Sequence, residues 1–190
     1  MKRFMILSLL TAILLSGNCF AQSSEAQGYI TTAKEYWKVE NYDQAIAYFK
    51  KALELSPNHL PTQFNIGKGY YLKAETDSRR EDQDRKYIEA AYWFRKTADA
   101  GFARGQHQLG ICYMLGTGVK SDPIQAAYWW RKAAEQGYPD AQYSLGNYYK
   151  SGPNKNITEA KRWLMKAQAG SDAVVRGWAQ HSLDEIARGR

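Results

Sequence analysis

Histidine and cysteine are the side chains best suited to metal binding or nucleophilic attack, and this sequence scatters them. His59, His107 and His181 stand far apart, and none shares a metal-ligand spacing with a cysteine or a glutamate. Of the two cysteines, Cys19 and Cys112, the second lies between Ile111 and Tyr113. No neighbouring cation would lower its pKa, so it reads as a small buried filler rather than a nucleophile. There is no Gly-x-Ser-x-Gly elbow and no phosphate-cradling loop, and Gly116-x-Gly118 reads as a turn. Asn156-Ile157-Thr158 matches a glycosylation sequon by chance. The residue types therefore predict no catalytic group, no metal and no cofactor.

What the chain does contain is the same text twice. Ala90-Ala91-Tyr92-Trp93-Phe94-Arg95-Lys96 is answered by Ala126-Ala127-Tyr128-Trp129-Trp130-Arg131-Lys132, and Gly101 by Gly137. Leu109-Gly110-x-x-Tyr113 returns as Leu145-Gly146-x-x-Tyr149. The step is constant at 36 residues (129 − 93). A fixed period of this size marks a chain built from stacked supersecondary units rather than around a single core.

Residues 1–21 are a different material. Lys2 and Arg3 precede a nearly unbroken apolar run from Phe4 to Leu15, and Ser16 to Ala21 ends in small residues. That is the pattern of a secretory signal with cleavage after Ala21, and the run is shorter than the roughly 20 residues a membrane helix needs. Lipidation at Cys19 is the alternative, against which Asn18 stands where Gly or Ala is wanted. Export is therefore expected, to the periplasm, with secretion or a lipid anchor as the other destinations. No stable membrane insertion is expected once the signal is removed. Cleavage leaves Cys112 alone, so the exported protein has no internal disulfide and must be held by packing.

The 26 Lys and Arg against 19 Asp and Glu give a formal charge of +7. The bases are interspersed with acids, without the basic stripe that nucleic acid requires.

From Gly28 onward apolar residues recur three and four apart, as in Tyr29, Ala33, Tyr36, Trp37 and then Ala45, Tyr48, Phe49, Ala52. This puts them on one face of a helix, and the alternation of a strand is absent. The five prolines, Pro57, Pro61, Pro123, Pro139 and Pro153, all fall between the periodic segments, where they break no helix. Asp122-Pro123 supplies a capping carboxylate and a first-turn proline. Helices are predicted at about 28–39, 43–55, 61–76, 86–99, 103–115, 123–136, 139–150, 157–169 and 173–188. Short connections make neighbours antiparallel. The charged run Glu75 to Lys86 is expected to be a solvated helix extension or loop. Gly110 and Gly146 would allow close helix approach against Ala126 and Ala160, with Trp93, Trp129 and Trp163 covering the seam.

Residues 26–59 resemble a tetratricopeptide repeat, with Tyr29, Ala33, Tyr36, Ala45, Phe49, Ala52 and Pro57 in its signature positions. From about 60 onward the units resemble the related Sel-one-like repeat, through Leu109-Gly110, Tyr113, Gly116-x-Gly118-Val119-x-x-Asp122, Ala126, Trp129, Lys132-Ala133-Ala134 and Gly137. The resemblance implies an all-α, right-handed α-solenoid of about four antiparallel helix hairpins plus a C-terminal capping helix. Its domain spans 22–190, with a first unit at about 26–59, later units at about 60–170 and the cap at about 171–190. Asp184, Glu185, Arg188 and Arg190 give that cap a polar end.

The resemblance further implies a concave groove lined by the first helix of each pair, at positions three before, one after and four after the repeat glycine. On this sequence those columns nominate Lys34, Trp37, Phe64, Lys68, Tyr71, His107, Tyr143 and Asn147 as ligand-binding candidates. The aromatics offer anchors for a peptide or helix of another protein, or pack between repeats instead. A Lys-and-Asn clamp for a terminal carboxylate has only Asn65 and Arg104 to draw on. The expected role is a non-catalytic adaptor or scaffold of the bacterial cell envelope. The alternatives are a glycan-binding or glycan-modifying cell-wall protein and a secreted factor that engages host proteins.

Overall fold

The computed structural model describes residues 23–189; the expected signal segment and its cleavage site lie outside the described residues. Among those residues the chain forms nine helices and no strand. They are α1 (23–38), α2 (Tyr42–Leu55), α3 (Leu60–Thr76), α4 (Arg80–Asp99), α5 (Ala103–Leu115), α6 (Pro123–Glu135), α7 (Pro139–Ser151), α8 (Ile157–Ala169) and α9 (Ala173–Ala187). From α2 onward each helix packs on its neighbours in the chain, and α7 also touches α9. This sequential stacking of hairpins is an α-solenoid.

Local chemistry fixes where the helices begin. Asn41 accepts from the Gln44 amide, Asp122 from Ile124 and Gln125, Asn156 from Glu159, and Asp172 from Val174 and Val175. Each satisfies amides that the helix itself leaves unpaired. Their ends are as regular. Gly101 and Gly137 adopt φ of 83° and 86°, the left-handed conformation that reverses a chain at a helix C-terminus and that glycine adopts at no steric cost. In both turns the next residue returns a hydrogen bond to the helix, Phe102 to Thr97 and Tyr138 to Ala133.

A further device is buried in three of the units. The side-chain amides of Gln63, Gln106 and Gln142 donate to the carbonyls of Pro57, Ala98 and Ala134. Each side chain is nearly inaccessible to solvent and occupies a carbonyl at or just beyond the end of the preceding helix. An unpaired buried carbonyl there would cost about 1–3 kcal/mol.

Two predicted boundaries are corrected. The first helix is already formed at residue 23, not 28. The fourth starts at Arg80, not 86, so the charged run is helix on both sides of a break at 77–79. Asp77 makes that break: its carboxylate accepts from the Arg79 amide at 3.0 Å and pairs with Lys86. Glu81 and Asp82 then fall in the first turn of α4, where acidic groups complement the helix dipole.

The core is a series of joints. Trp93, on α4, packs against Ala33, Ile46 and Phe49 from the unit before it and Ile66 of its own hairpin. Trp129, on α6, sits among Ala90, Phe94, Leu109 and Cys112. Trp163, on α8, closes on Ala126, Trp130, Leu145 and Tyr148. Trp129 and Trp163 are 6% and 2% exposed, so each supplies on the order of 1.5–3 kcal/mol by burial. A lysine three residues on, Lys96, Lys132 or Lys166, lies 4.5–5.2 Å from each ring centroid and covers the ring's outer side.

The repeat glycines provide the close approach within hairpins. A Cβ at Gly146 would lie 2.7 Å from Leu164 Cγ, and one at Gly110 would overlap the indole of Trp130. That indole donates its N–H to the His107 carbonyl at 3.1 Å.

Candidate binding groove

The odd-numbered helices share one face, and side chains cross directly between them. His107 Nε2 on α5 is 3.1 Å from Ser144 Oγ on α7. On α9, Ser182 donates to Asn147 Oδ1 at 3.0 Å, and Glu185 accepts from Lys150 at 2.7 Å. At this end of the stack α7 and α9 also touch directly.

The eight nominated residues divide into three groups on this face. Lys34, Trp37 and Lys68 come together, with Lys38, Phe49 and Asn65, around a cleft of about 310 Å³ between α1 and α3. The Trp37 ring is seated edge-on against Tyr42 and Phe49, at centroid distances of 5.2 and 6.2 Å. Lys68 Nζ stands 5.8 Å from its centroid. Both Lys34 and Lys68 are exposed. Lys38 pairs with Glu35 at 2.8 Å. Among the described residues neither Lys34 nor Lys68 has a carboxylate within ion-pair distance.

Tyr143 and Asn147 line a second cleft, of about 390 Å³, with Met114, Trp130, Tyr148 and Pro153 among its other walls. No ionisable acid or base borders it apart from the two tyrosines, and its character is apolar with one amide. Tyr143 also leans on Trp178 of α9 at 5.6 Å.

Phe64, Tyr71 and His107 form the third group, and their rings are engaged by neighbours. Phe64 lies between Phe94 and Phe102, at 5.6 and 5.7 Å. Tyr71 meets Tyr87 edge-on at 5.3 Å. Burial, followed by the charge of Glu75, pushes the Tyr71 hydroxyl up to about 12. His107 meets Tyr138 at 5.4 Å. Burial pushes its imidazole down to about 4 against the opposing pull of Asp140, so it is neutral at physiological pH. The rings of these three rest on neighbouring rings, as that of Trp37 does.

Sequence reasoning did not nominate Lys38, Met114 or Trp178. Met114 stands in the four-after column and was within reach of the same rule. Trp178, 48% exposed, precedes the columns on α9 and had no signal. Cys112 is fully buried, and desolvation pushes its thiol up to about 11, away from the thiolate a nucleophile needs. Among the described residues no three of His, Cys, Asp and Glu gather into a metal-holding group. No helix among them is long and apolar enough to cross a membrane.

Comparison with known proteins places these features in a family. The Sel1 repeat pattern matches residues 62–102, 103–138 and 139–167, and a tetratricopeptide repeat matches 26–59. No curated protein matches the sequence. Solved structures do. One is c5321, described as a protective antigen of uropathogenic Escherichia coli with an SLR fold. It is similar at 28% identity and a TM-score of 0.71, over 89% of this chain and 35% of that one. Another, a Sel1 repeat protein from Oxalobacter formigenes, is 29% identical with a TM-score of 0.63, over 77% of this chain and 57% of its own. This chain thus spans about a third of the first relative and little more than half of the second. The repeat matches cover more than half of the 190 residues, on the hairpins whose tryptophan joints and glycine contacts are described above, and the chain belongs to the Sel1 repeat family of binding and scaffold proteins.

Proposed function

We propose that this protein is a non-catalytic adaptor of the bacterial cell envelope that holds a peptide or a helix of another protein along the face of its odd-numbered helices. The observation that supports this most directly is the pair of open clefts on that face, each holding an aromatic anchor, Trp37 in one and Tyr143 in the other. Anchors of this kind dominate the energetics of protein interfaces. Neither Cys112 nor His107 lines either cleft. Location outside the cytoplasm rests on the signal-like residues 1–21, and the likeness to a chain described as a protective antigen favours it.

The test is capture of partners from envelope extract by the processed protein and by Trp37→Ala and Tyr143→Ala. A Tyr92→Ser variant on the even-numbered face serves as control. Loss of the same partner from both groove variants and its retention by the control is the expected result. The alternative is glycan binding, favoured by the half-open Tyr143–Trp178 pair, since aromatic faces also stack on sugars. If the groove variants keep every protein partner but no longer sediment with cell-wall material, the glycan reading replaces the adaptor.

A further inference from the structure

The two clefts differ in chemistry, and that difference describes the occupant. The first is cationic. Lys34, Lys38 and Lys68 surround Trp37 and Asn65, and Glu35 answers Lys38 alone. Two exposed ammonium groups therefore face the groove without a carboxylate partner among the described residues. The second cleft carries no such charge: Met114, Trp130, Tyr143 and Pro153 form an apolar slot, and Asn147 contributes a single amide at its wall.

Their separation follows from the stacking. The first cleft lies between α1 and α3 and the second between α5 and α7, two steps along the odd-numbered helices. Directly packed helices are about 8–10 Å apart, and α3, α5 and α7 are not packed directly on one another, so the clefts are separated by at least about 20 Å. An extended chain rises about 3.3 Å per residue, so about six residues or more cover that distance.

We infer that the groove recognises an extended peptide segment with two or more acidic side chains at one end and a large apolar side chain about six residues or more away. The acidic end rests over Lys34 and Lys68, and the apolar side chain enters the slot beside Met114 and Tyr143. This inference rests on the adaptor reading of the same face and adds the chemistry of the partner to it. Charge complementarity sets orientation and encounter, while the apolar anchor sets residence.

The experiment uses the processed protein and fluorescein-labelled peptides read by anisotropy. The probe carries Asp-Asp-Glu at one end, six Ser and Thr residues, and Leu-Phe at the other end. It is made in both chain directions and amidated, so that only side-chain carboxylates supply charge. Comparison peptides replace the acids with lysines, replace Leu-Phe with Ser-Ser, or shorten the spacer to two residues. The acidic probe should bind at least about ten times tighter than the lysine peptide, and lose about ten-fold in affinity between about 50 and about 300 mM salt. In Lys34→Gln/Lys68→Gln that salt dependence should disappear. Both lysines are exposed, so the fold tolerates the change, and an unaltered melting curve verifies it. Met114→Gln should weaken the Leu-Phe probe and leave the Ser-Ser peptide unchanged.

Equal binding of acidic and lysine probes, or an affinity that ignores the double lysine variant, overturns the inference. Equal binding of long- and short-spacer peptides overturns its two-site form. If Trp37→Ala and Tyr143→Ala still lose their envelope partner while the acidic probe shows no preference, the inference fails and the adaptor reading stands. If the groove variants lose nothing, both fall.

Discussion

Gly146 sits where a methyl group would lie 2.7 Å from Leu164 Cγ and 3.2 Å from the Leu164 backbone nitrogen. The backbone atom has no room to move, so Gly146→Ala should destabilise the protein by about 1–3 kcal/mol despite the gain in helix propensity. Gly177 is the control, because nothing lies within 4 Å of its Cβ position. There Gly→Ala in a helix should stabilise by roughly 0.5–1 kcal/mol. Urea midpoints of the two variants should move in opposite directions. His107 carries a second prediction. Its folded pKa of about 4 lies below the ordinary value of 6.5, so the unfolded chain takes up a proton before the native one does. Stability is thus full above pH 6.5 and falls as pH drops towards 4, by up to about 1.4 kcal/mol per unit. His107→Asn should flatten this fall when urea midpoints are compared at about pH 7 and about pH 5.

The same two residues show why the sequence was readable in some places and not in others. The repeat glycine announced itself by recurrence, since close approach tolerates nothing larger and the text must return at each joint. His107 recurred only as a register position, and register cannot tell whether a ring turns outward to a ligand or sideways to Tyr138. The same ambiguity covered Phe64 and Tyr71, whose neighbours Phe94, Phe102 and Tyr87 come from adjacent helices that no single-helix rule addresses. Lys34, Lys68 and Trp37 share one cleft because two consecutive units place them on one face. The buried glutamines Gln63, Gln106 and Gln142 were visible in the repeat, but their role as partners for terminal carbonyls needed the turn geometry.

Among the elements, α9 carries the clearest dependence. Its Val175 and Ala179 close a cluster with Leu164 and Ala167 of α8, and Tyr143 rests on the same cluster. Elsewhere α9 exposes polar side chains beside Val174 and Trp178. Gln180 donates to Asp184 at 2.8 Å, and Arg176 donates to the carbonyls of Gly170 and Ser171. Asp184 stands where hairpin packing would need a small residue. Ending the chain after Gly170 should uncover Leu164 and Ala167 and loosen α7 and α8 as well. Circular dichroism should register a loss of helix greater than the 15 residues of α9, together with a lower melting temperature. A loss confined to α9 alone would contradict this coupling.

For the whole molecule, the stack has no central core, and its stability is a sum of hairpins and joints. The inner hairpins have neighbours on both sides, whereas α9 is held chiefly by α8 and α7. Amide hydrogen exchange should accordingly be slowest in α5, α6 and α7, and fastest in 23–38 and α9. Uniform protection along the chain would instead indicate a single cooperative block. The joints themselves have a wider consequence. Trp93, Trp129 and Trp163 each enter the unit before them from the second helix of their own hairpin, so the joints share one plan. One period could be duplicated or lost without presenting its flanks with an unfamiliar shape. A scaffold so joined can change its reach while its two ends stay as they are, and the distance between bound features becomes a quantity that evolution, or an engineer, adjusts in whole steps.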